Sequence, residues 1–147
     1  MILRLLGAAL AAAVLSACAT PPKEVQFVKA RSFAMSKDAV WDSVLHYFTA
    51  NSIQIKTIEK DSGVIYAERS RYDASMADCG EVPLSQEVSR IATLNVFVRP
   101  AGNLVQVTVN TDFNVVRVFD NQSWTDRCFS TGVLEGQILS AIGAPVS

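Results

Sequence analysis

Two adjoining stretches of alternating apolar and polar residues, 88–98 and 104–119, constrain the fold of this chain more than any other feature. A period of two residues is typical of strands with one face in a core. The turn-forming segment 100–103, Pro-Ala-Gly-Asn, separates them. The two stretches therefore predict an antiparallel hairpin with one apolar face. The residues assigned to that face are Ala92, Leu94, Val96, Val98, Val105, Val107, Val109, Phe113 and Val115.

The opposite face of this hairpin is expected to be solvated, as one face of an antiparallel sheet often is. It carries Asn95, Gln106, Thr108, Asn110 and Asp112. This face is either plain solvated sheet or a docking surface. The alternation breaks over 115–118, where we expect a bulge or a strand end.

A helical period follows the first predicted strand. Ser36 can cap a helix over 37–50, and Asp38 lies in its first turn, where the helix dipole favours a carboxylate. The apolar stripe of this helix consists of Val40, Trp41, Val44, Leu45 and Phe48. His46 projects from nearly the opposite side, as a solvated residue of the helix surface.

Three shorter strands and a second helix complete the predicted elements. The strands cover 25–34, 53–59 and 64–69, and the turn between the last two contains Gly63, which can adopt a positive φ. The helix covers 132–142, with Ser130 or Thr131 as its cap.

The order of elements is thus β-α-β-β-β-β-α, which predicts an α+β fold. We expect a five-stranded antiparallel sheet with both helices on its apolar face. Residues 25–147 are long enough for a single domain with one core. Segments 70–87 and 120–127 are predicted loops, and the second contains Trp124.

Residues 1–17 have the layout of an export signal. Arg4 precedes an apolar stretch over 5–14, which is shorter than the ~20 residues that span a bilayer. The tetrapeptide Leu15-Ser16-Ala17-Cys18 resembles the lipobox of bacterial lipoproteins. The resemblance implies cleavage before Cys18, a diacylglycerol on its thiol and an acylated amino terminus. The alternative is an ordinary secreted protein with an accidental cysteine at this position.

Residues 18–24 would then be the lipidated cysteine and a short tether, which two prolines keep extended. Residue 19 is alanine rather than aspartate. By resemblance to lipoprotein sorting rules, this favours the outer membrane, with the domain facing the periplasm.

The remaining cysteines, Cys79 and Cys128, predict a disulfide in an oxidising compartment. It would close a loop of about 50 residues, worth roughly 3–4 kcal/mol in the chain-entropy model. A redox or metal pair is the alternative, but the sequence has no C-x-x-C motif and only one histidine. We therefore expect no metal and no cofactor.

Composition argues against nucleic acid as a partner. Arg4 is one of 13 basic residues, so cleavage after residue 17 leaves 12 basic against 14 acidic residues. A nucleic-acid-binding domain usually has a basic excess. Arg69, Arg71 and Arg117 could form a small basic patch or a solvated rim.

Sequence motifs of catalysis are also missing: there is no G-x-S-x-G, H-E-x-x-H or P-loop. Carboxylates such as Asp73, Asp78 and Asp112 are no denser than chance allows. We expect no catalytic residue and no enzymatic activity.

Three segments carry a further resemblance. They are Ser36-Lys-Asp-Ala-Val-Trp-Asp-Ser-Val, Ile53-Gln-Ile-Lys and Asp61-Ser-Gly-Val-Ile-Tyr-Ala-Glu. Together they resemble the helix-grip domains of the C-subunit lipoprotein of the β-barrel assembly machine and of other small envelope lipoproteins. The pair Cys79 and Cys128 and the single short domain depart from that subunit. The resemblance therefore implies the fold and not membership of that machine.

These observations lead to two expectations for function. The first is a membrane-anchored accessory or structural lipoprotein that docks on an envelope assembly or secretion machine. The second is a helix-grip module that binds a lipid or small apolar ligand in a cavity. Trp124 is a candidate contact for the envelope partner, or else it folds over the sheet edge as part of the core.

Overall fold

The computed structural model describes residues 19–143, so the predicted export signal (residues 1–17), Cys18 and residues 144–147 lie outside the described part. Two helices, α1 (Lys37–Ala50) and α2 (Val133–Ala141), accompany seven strands. The strands are β1 (Ala30–Phe33), β2 (Gln54–Glu59), β3 (Val64–Ser70), β4 (Ala77–Asp78), β5 (Gln86–Ala101), β6 (Leu104–Phe119) and β7 (Gln122–Ser130). A short 3₁₀ turn, Ala74–Met76, precedes β4.

The strands form one antiparallel sheet in the order β2-β3-β5-β6-β7-β4. The predicted hairpin of β5 and β6 is its centre. It is paired from Ala101 and Leu104 at the turn to Gln86 and Val118 at the other end, with a bulge after Glu87. The first part of β6 pairs with β1 and the last part with β7, so β1 and β7 follow one another along the same edge of β6.

The α+β class, the antiparallel sheet and the two helices are as predicted, but the expected number of five strands is wrong. The sheet has seven because β4 and β7 join it. Segment 120–127, predicted as a loop, lies mostly in β7. Asp120 and Asn121 make a two-residue turn with φ of 46° and 61°. Asp and Asn tolerate this left-handed region, which two-residue hairpin turns require.

The first strand is also shorter than predicted, because β1 covers only Ala30–Phe33. The preceding Val25 and Val28 are exposed, although their apolar character suggested a strand. Phe27 is half-buried, and its ring lies against Gly132 at the start of α2.

Helix α1 has the predicted bounds and the predicted cap, since the Ser36 hydroxyl accepts a hydrogen bond from the Ala39 amide at 3.2 Å. The cap predicted for α2 is wrong. Gly132 takes the N-cap position with φ of 84°. Its amide donates to the Ser130 hydroxyl, and Ser130 is itself bound to Glu135 inside the helix.

One face of the sheet and the inner sides of both helices form the core. Contacts of α1 with β5 and of α2 with β6 place both helices on this face. A fully buried aliphatic or aromatic side chain contributes roughly 1.5–3 kcal/mol. The largest fully buried apolar side chains are Phe48, Phe113, Ile65, Leu94, Leu134, Ile138, Leu139, Val40, Val44, Val96 and Val98.

Replacing Gly63 with alanine should lower the free energy of unfolding by more than the same change at Gly102. Both glycines have positive φ, so each alanine carries the cost of the left-handed region, about 1–2 kcal/mol. A Cβ at Gly63 would lie 2.0 Å from the Val98 carbonyl oxygen, whereas one at Gly102 would meet nothing within 4 Å. We expect a further ~1–3 kcal/mol of destabilisation at Gly63 in urea unfolding. Equal losses at the two positions would contradict this packing.

Candidate functional site

The described chain begins beside a loop that holds it. Thr20 and Glu81 form an antiparallel bridge, with N–H···O distances of 3.1 and 2.8 Å in the two directions. The segment expected to be a tether therefore lies against residues 78–82, which we call the docking loop. Ala19 is exposed, directly after Cys18 in the sequence.

Asp78 makes a second connection between the segment and the docking loop. One oxygen of its carboxylate accepts from the Lys23 amide at 3.0 Å, and the other accepts from the Gly80 amide at 2.9 Å. These backbone hydrogen bonds, that of Gly80 first, lower the pKa of Asp78 below its ordinary value of 3.8. The side chain thus fixes the segment three residues beyond the bridge.

Gly80 allows the close approach of the segment. Its φ is 62°, and a Cβ there would lie 2.3 Å from the Thr20 carbonyl oxygen and 2.8 Å from the nitrogen of Pro22. Any side chain at this position would push the segment off the docking loop.

The predicted disulfide is confirmed: Cys79 in the docking loop is bonded to Cys128 in β7. The Tyr72 hydroxyl lies 3.2 Å from the sulfur of Cys79 and donates to the carbonyl of Asn114. Burial raises the pKa of Tyr72 above its ordinary value. The Cys79–Cys128 disulfide therefore ties the docking loop covalently to the sheet.

Arg117 makes the same connection without a covalent bond. Its side chain is 3% exposed and forms ion pairs with Asp126 at 2.8 Å and Glu87 at 3.1 Å. It also donates to the carbonyl oxygens of Cys79 and Gly80, at 3.1 and 2.8 Å. One guanidinium thus joins β5, β7 and the docking loop. Four charged or polar acceptors compensate its removal from water.

The sequence had suggested that Arg117 belongs to a basic patch or rim with Arg69 and Arg71, but it is buried. A signal for this was present, because odd-numbered residues of β6 face the core and 117 continues that series. A strand end, one of the two outcomes expected at 115–118, is wrong, because a paired arginine takes the place of an apolar residue and β6 continues to Phe119. The other outcome, a bulge, is found at this level of the sheet, but on β5 between Glu87 and Ser89, opposite Arg117 and Val116.

Glu87 has a shifted pKa through this network. Burial raises the pKa, but hydrogen bonds and charges from Arg90 and Arg117 outweigh it and lower the pKa below its ordinary value. Its carboxylate therefore stays ionised and available to Arg117 at neutral pH.

Trp124 lies opposite Arg117 in the register of β6 and β7. It is half-buried, and its indole N–H donates to Asp126 at 3.0 Å, to the same oxygen that accepts from Arg117. The ring is thereby attached to the edge of this network and keeps part of its surface in solvent.

A buried carboxylate, Glu135, was not identified from the sequence. Its oxygens are bound by the Thr111 hydroxyl and, at 2.8 and 2.9 Å, by the Ser130 hydroxyl. The Ser130 oxygen also accepts the Gly132 amide at 3.0 Å. This arrangement attaches the first turn of α2 to β6 and β7, and the sequence signal was the acidic residue at that turn.

His46 is exposed on α1, as predicted. The polar pair of Ser130 and Glu135 belongs to other elements, β7 and α2. His46 lines a groove of about 740 Å³ beside α1, together with Met35, Asp42 and Tyr47. Among residues 19–143, no three histidine, cysteine or carboxylate side chains come together as metal ligands could.

No protein-family model and no curated protein sequence matches this chain. Within the described residues, no helix combines the length and apolar character needed to cross a membrane.

The docked segment should respond to acid through Asp78. Because the pKa of the folded state is below the ordinary 3.8, the ionised carboxylate stabilises docking at neutral pH, and this contribution is lost as pH falls through the lowered pKa. In an NMR titration, the Lys23 and Gly80 amide signals should therefore move together, with a midpoint below 3.8. Asp78→Asn should remove this transition and Asp42→Asn should keep it. A common midpoint at or above 3.8 would count against the contact.

Proposed function

We propose that this protein is a bacterial lipoprotein, anchored by lipid on Cys18 and acting as a non-catalytic accessory or structural component of an envelope assembly or secretion machine. The observation that carries the proposal is the bridge between Thr20 and Glu81, two residues after Cys18. It gives the domain a fixed position relative to its lipid. A freely swinging tether would not do so.

The proposed location is the outer membrane, with the domain facing the periplasm. The Cys79–Cys128 disulfide supports an oxidising compartment. Ala19 supports outer-membrane sorting, since aspartate at this position is the inner-membrane signal in the sorting rules that the sequence resembles.

The helix-grip resemblance belongs to this proposal. It is supported by the packing of α1 on β5 of an antiparallel sheet and by the turn at Gly63, whose φ is 70°. In such a domain the sheet and helices serve as a scaffold, and partners are recognised by surfaces. We propose the half-buried Trp124 as the contact for the envelope partner.

The packing between helix and sheet favours this proposal over ligand binding. The core between α1 and β5 is formed by fully buried side chains, which are Val40, Val44 and Phe48 of α1 and Leu94 and Val96 of β5. A lipid in the grip would have to displace these side chains. The groove that His46 lines lies between α1 and the carboxyl end of α2, at Ala141 and Gly143, and no strand residue lines it.

The roles of the candidate chemical groups favour a non-catalytic function. Ser130 and Glu135 hold the start of α2, and Arg117 holds the docking loop, so structural roles account for their contacts. His46 is an exposed residue of α1.

The test expresses the full chain, tagged at its carboxyl end, in a Gram-negative host, beside the variants Cys18→Ser and Asp42→Asn. We expect wild type and Asp42→Asn to carry an acyl mass at Cys18 and to fractionate with the outer membrane. Cys18→Ser should lose both properties, because the thiol is the proposed attachment point.

Cross-linking in the producing cells, followed by mass spectrometry, tests the proposed association with an envelope machine. We expect one set of envelope proteins to be recovered with wild type and to be depleted with Cys18→Ser. An acylated protein that recovers no envelope protein at native expression would sink the docking proposal. Absence of an acyl group on wild-type Cys18 would sink the lipoprotein proposal itself.

A further inference from the structure

The docked segment enters the domain at one end of the sheet. The β5–β6 turn and the β2–β3 turn lie at the opposite end, since the Val98 amide donates to Gly63 at 2.8 Å. At the near end, Gln86 pairs with Val118, and Glu81 bridges to Thr20 just before β5 begins. The point of attachment is thereby confined to this end.

Exposed apolar side chains gather at the same end. Leu84 is 83% exposed, Phe119 49% and Val82 38%; together we call them the apolar tip. Val82 lines the same shallow groove as Ala19. The Gln86–Val118 pair places Phe119 level with Ser85, the residue after Leu84.

The tip is held in shape by its own turn. The Ser85 hydroxyl and amide both donate to the Val82 carbonyl, at 2.8 and 3.3 Å. Leu84 between them has φ of 67°, a left-handed conformation that is unfavourable for a residue with a β-carbon. The turn therefore presents a leucine whose side chain contributes little to the core of the fold.

Chain length places the tip near the proposed lipid. Two residues span at most about 7 Å, so Cys18 lies within that distance of Thr20. Three residues span at most about 11 Å, which bounds the separation of Leu84 and Glu81. The prolines at 21 and 22 and the bridge keep the segment from swinging away.

We infer that the apolar tip enters the headgroup–acyl boundary of the bilayer that holds the lipid on Cys18. The inference rests on the proposed lipidation. Interfacial amphipathic helices bury their apolar face about 5–10 Å into this boundary, and the apolar side chains of the tip would enter the same layer. Glu81 and Asp120 flank the tip and are exposed, so they would lie at headgroup level and favour zwitterionic over anionic lipid.

The bilayer fits the tip better than a protein partner does, because the proposed lipid on Cys18 already places the bilayer beside the tip. With the lipid inserted and the segment docked, the end that carries Ala19 must face the membrane. The sheet then extends away from the surface, with the β2–β3 turn farthest from it. At about 3.3 Å per residue, the 16 residues of β5 extend over roughly 50 Å along the strand.

The test uses the full-length lipidated protein in vesicles of phosphatidylcholine and phosphatidylethanolamine, with bromine on the acyl chains as quencher. Tryptophan is introduced by Leu84→Trp, with Val82→Trp as a second probe. Ile58→Trp is the control, because Ile58 is also exposed and apolar but lies at the far end. The wild-type signal, from Trp41 and Trp124, is subtracted.

We expect bromine to remove roughly half or more of the added fluorescence for Leu84→Trp, with a blue shift, and to leave Ile58→Trp unchanged. Val82→Trp should behave like Leu84→Trp. If both tip probes match Ile58→Trp while mass spectrometry finds the acyl group on Cys18, the membrane contact is wrong and the lipoprotein proposal stands. If no acyl group is found, both are wrong.

Discussion

The hydrogen bonds and ion pairs of the Arg117 guanidinium are the interactions on which the position of the docking loop depends. The guanidinium is buried on the core side of β6 and reaches four acceptors on three different segments: β5, β7 and the docking loop. Arginine suits this position because its planar fork offers several donors in fixed directions. A lysine, with one ammonium group, could not reach the same set.

The disulfide and Arg117 act on the same loop in different ways. The Cys79–Cys128 disulfide limits the distance between the docking loop and β7 in the folded protein. It stabilises the fold chiefly because it restricts the unfolded chain. The hydrogen bonds of Arg117 fix how the loop's carbonyls are turned, and hence where Glu81 and Gly80 meet Thr20. Removing either partner of a buried ion pair is costly because it leaves a charge without compensation. The proposed orientation at the membrane follows from this arrangement.

Much of the fold could be predicted because it depends on local patterns. Periodicity, capping and turn chemistry indicate the bounds of α1, its Ser36 cap, the turn at Gly63 and the β5–β6 hairpin. The disulfide is predicted from the expected oxidising compartment and the count of cysteines. Strand β7 could not be recognised by apolar alternation, since its inward positions hold Trp124, Asp126 and Cys128 and complement a buried arginine. One local signal did indicate this strand: Asp120 and Asn121 are residues typical of a two-residue hairpin turn, and a second strand follows such a turn.

The candidate site was less predictable because it is built from contacts between distant segments. Nothing in residues 19–24 marks them as docked, since the bridge uses backbone groups and the Asp78 contact joins residues 55 apart. Arg117 and Glu135 look like surface residues in sequence, and only the parity of Arg117 within β6 indicates burial. Polar burial of this kind is specified by tertiary partners, which a single sequence does not display.

The central claim is that Arg117 holds the docking loop and, through it, the segment next to Cys18. Hydrogen exchange at the Thr20 and Glu81 amides in Arg117→Leu, with the disulfide intact, tests it most directly. Arg99→Leu is the control, because Arg99 is an exposed arginine of the same sheet, close to the β5–β6 turn and therefore at the end opposite the docking loop. Exchange at both amides should be several-fold faster in Arg117→Leu and unchanged in Arg99→Leu. Unchanged exchange in Arg117→Leu, in a protein that remains folded, would contradict the claim.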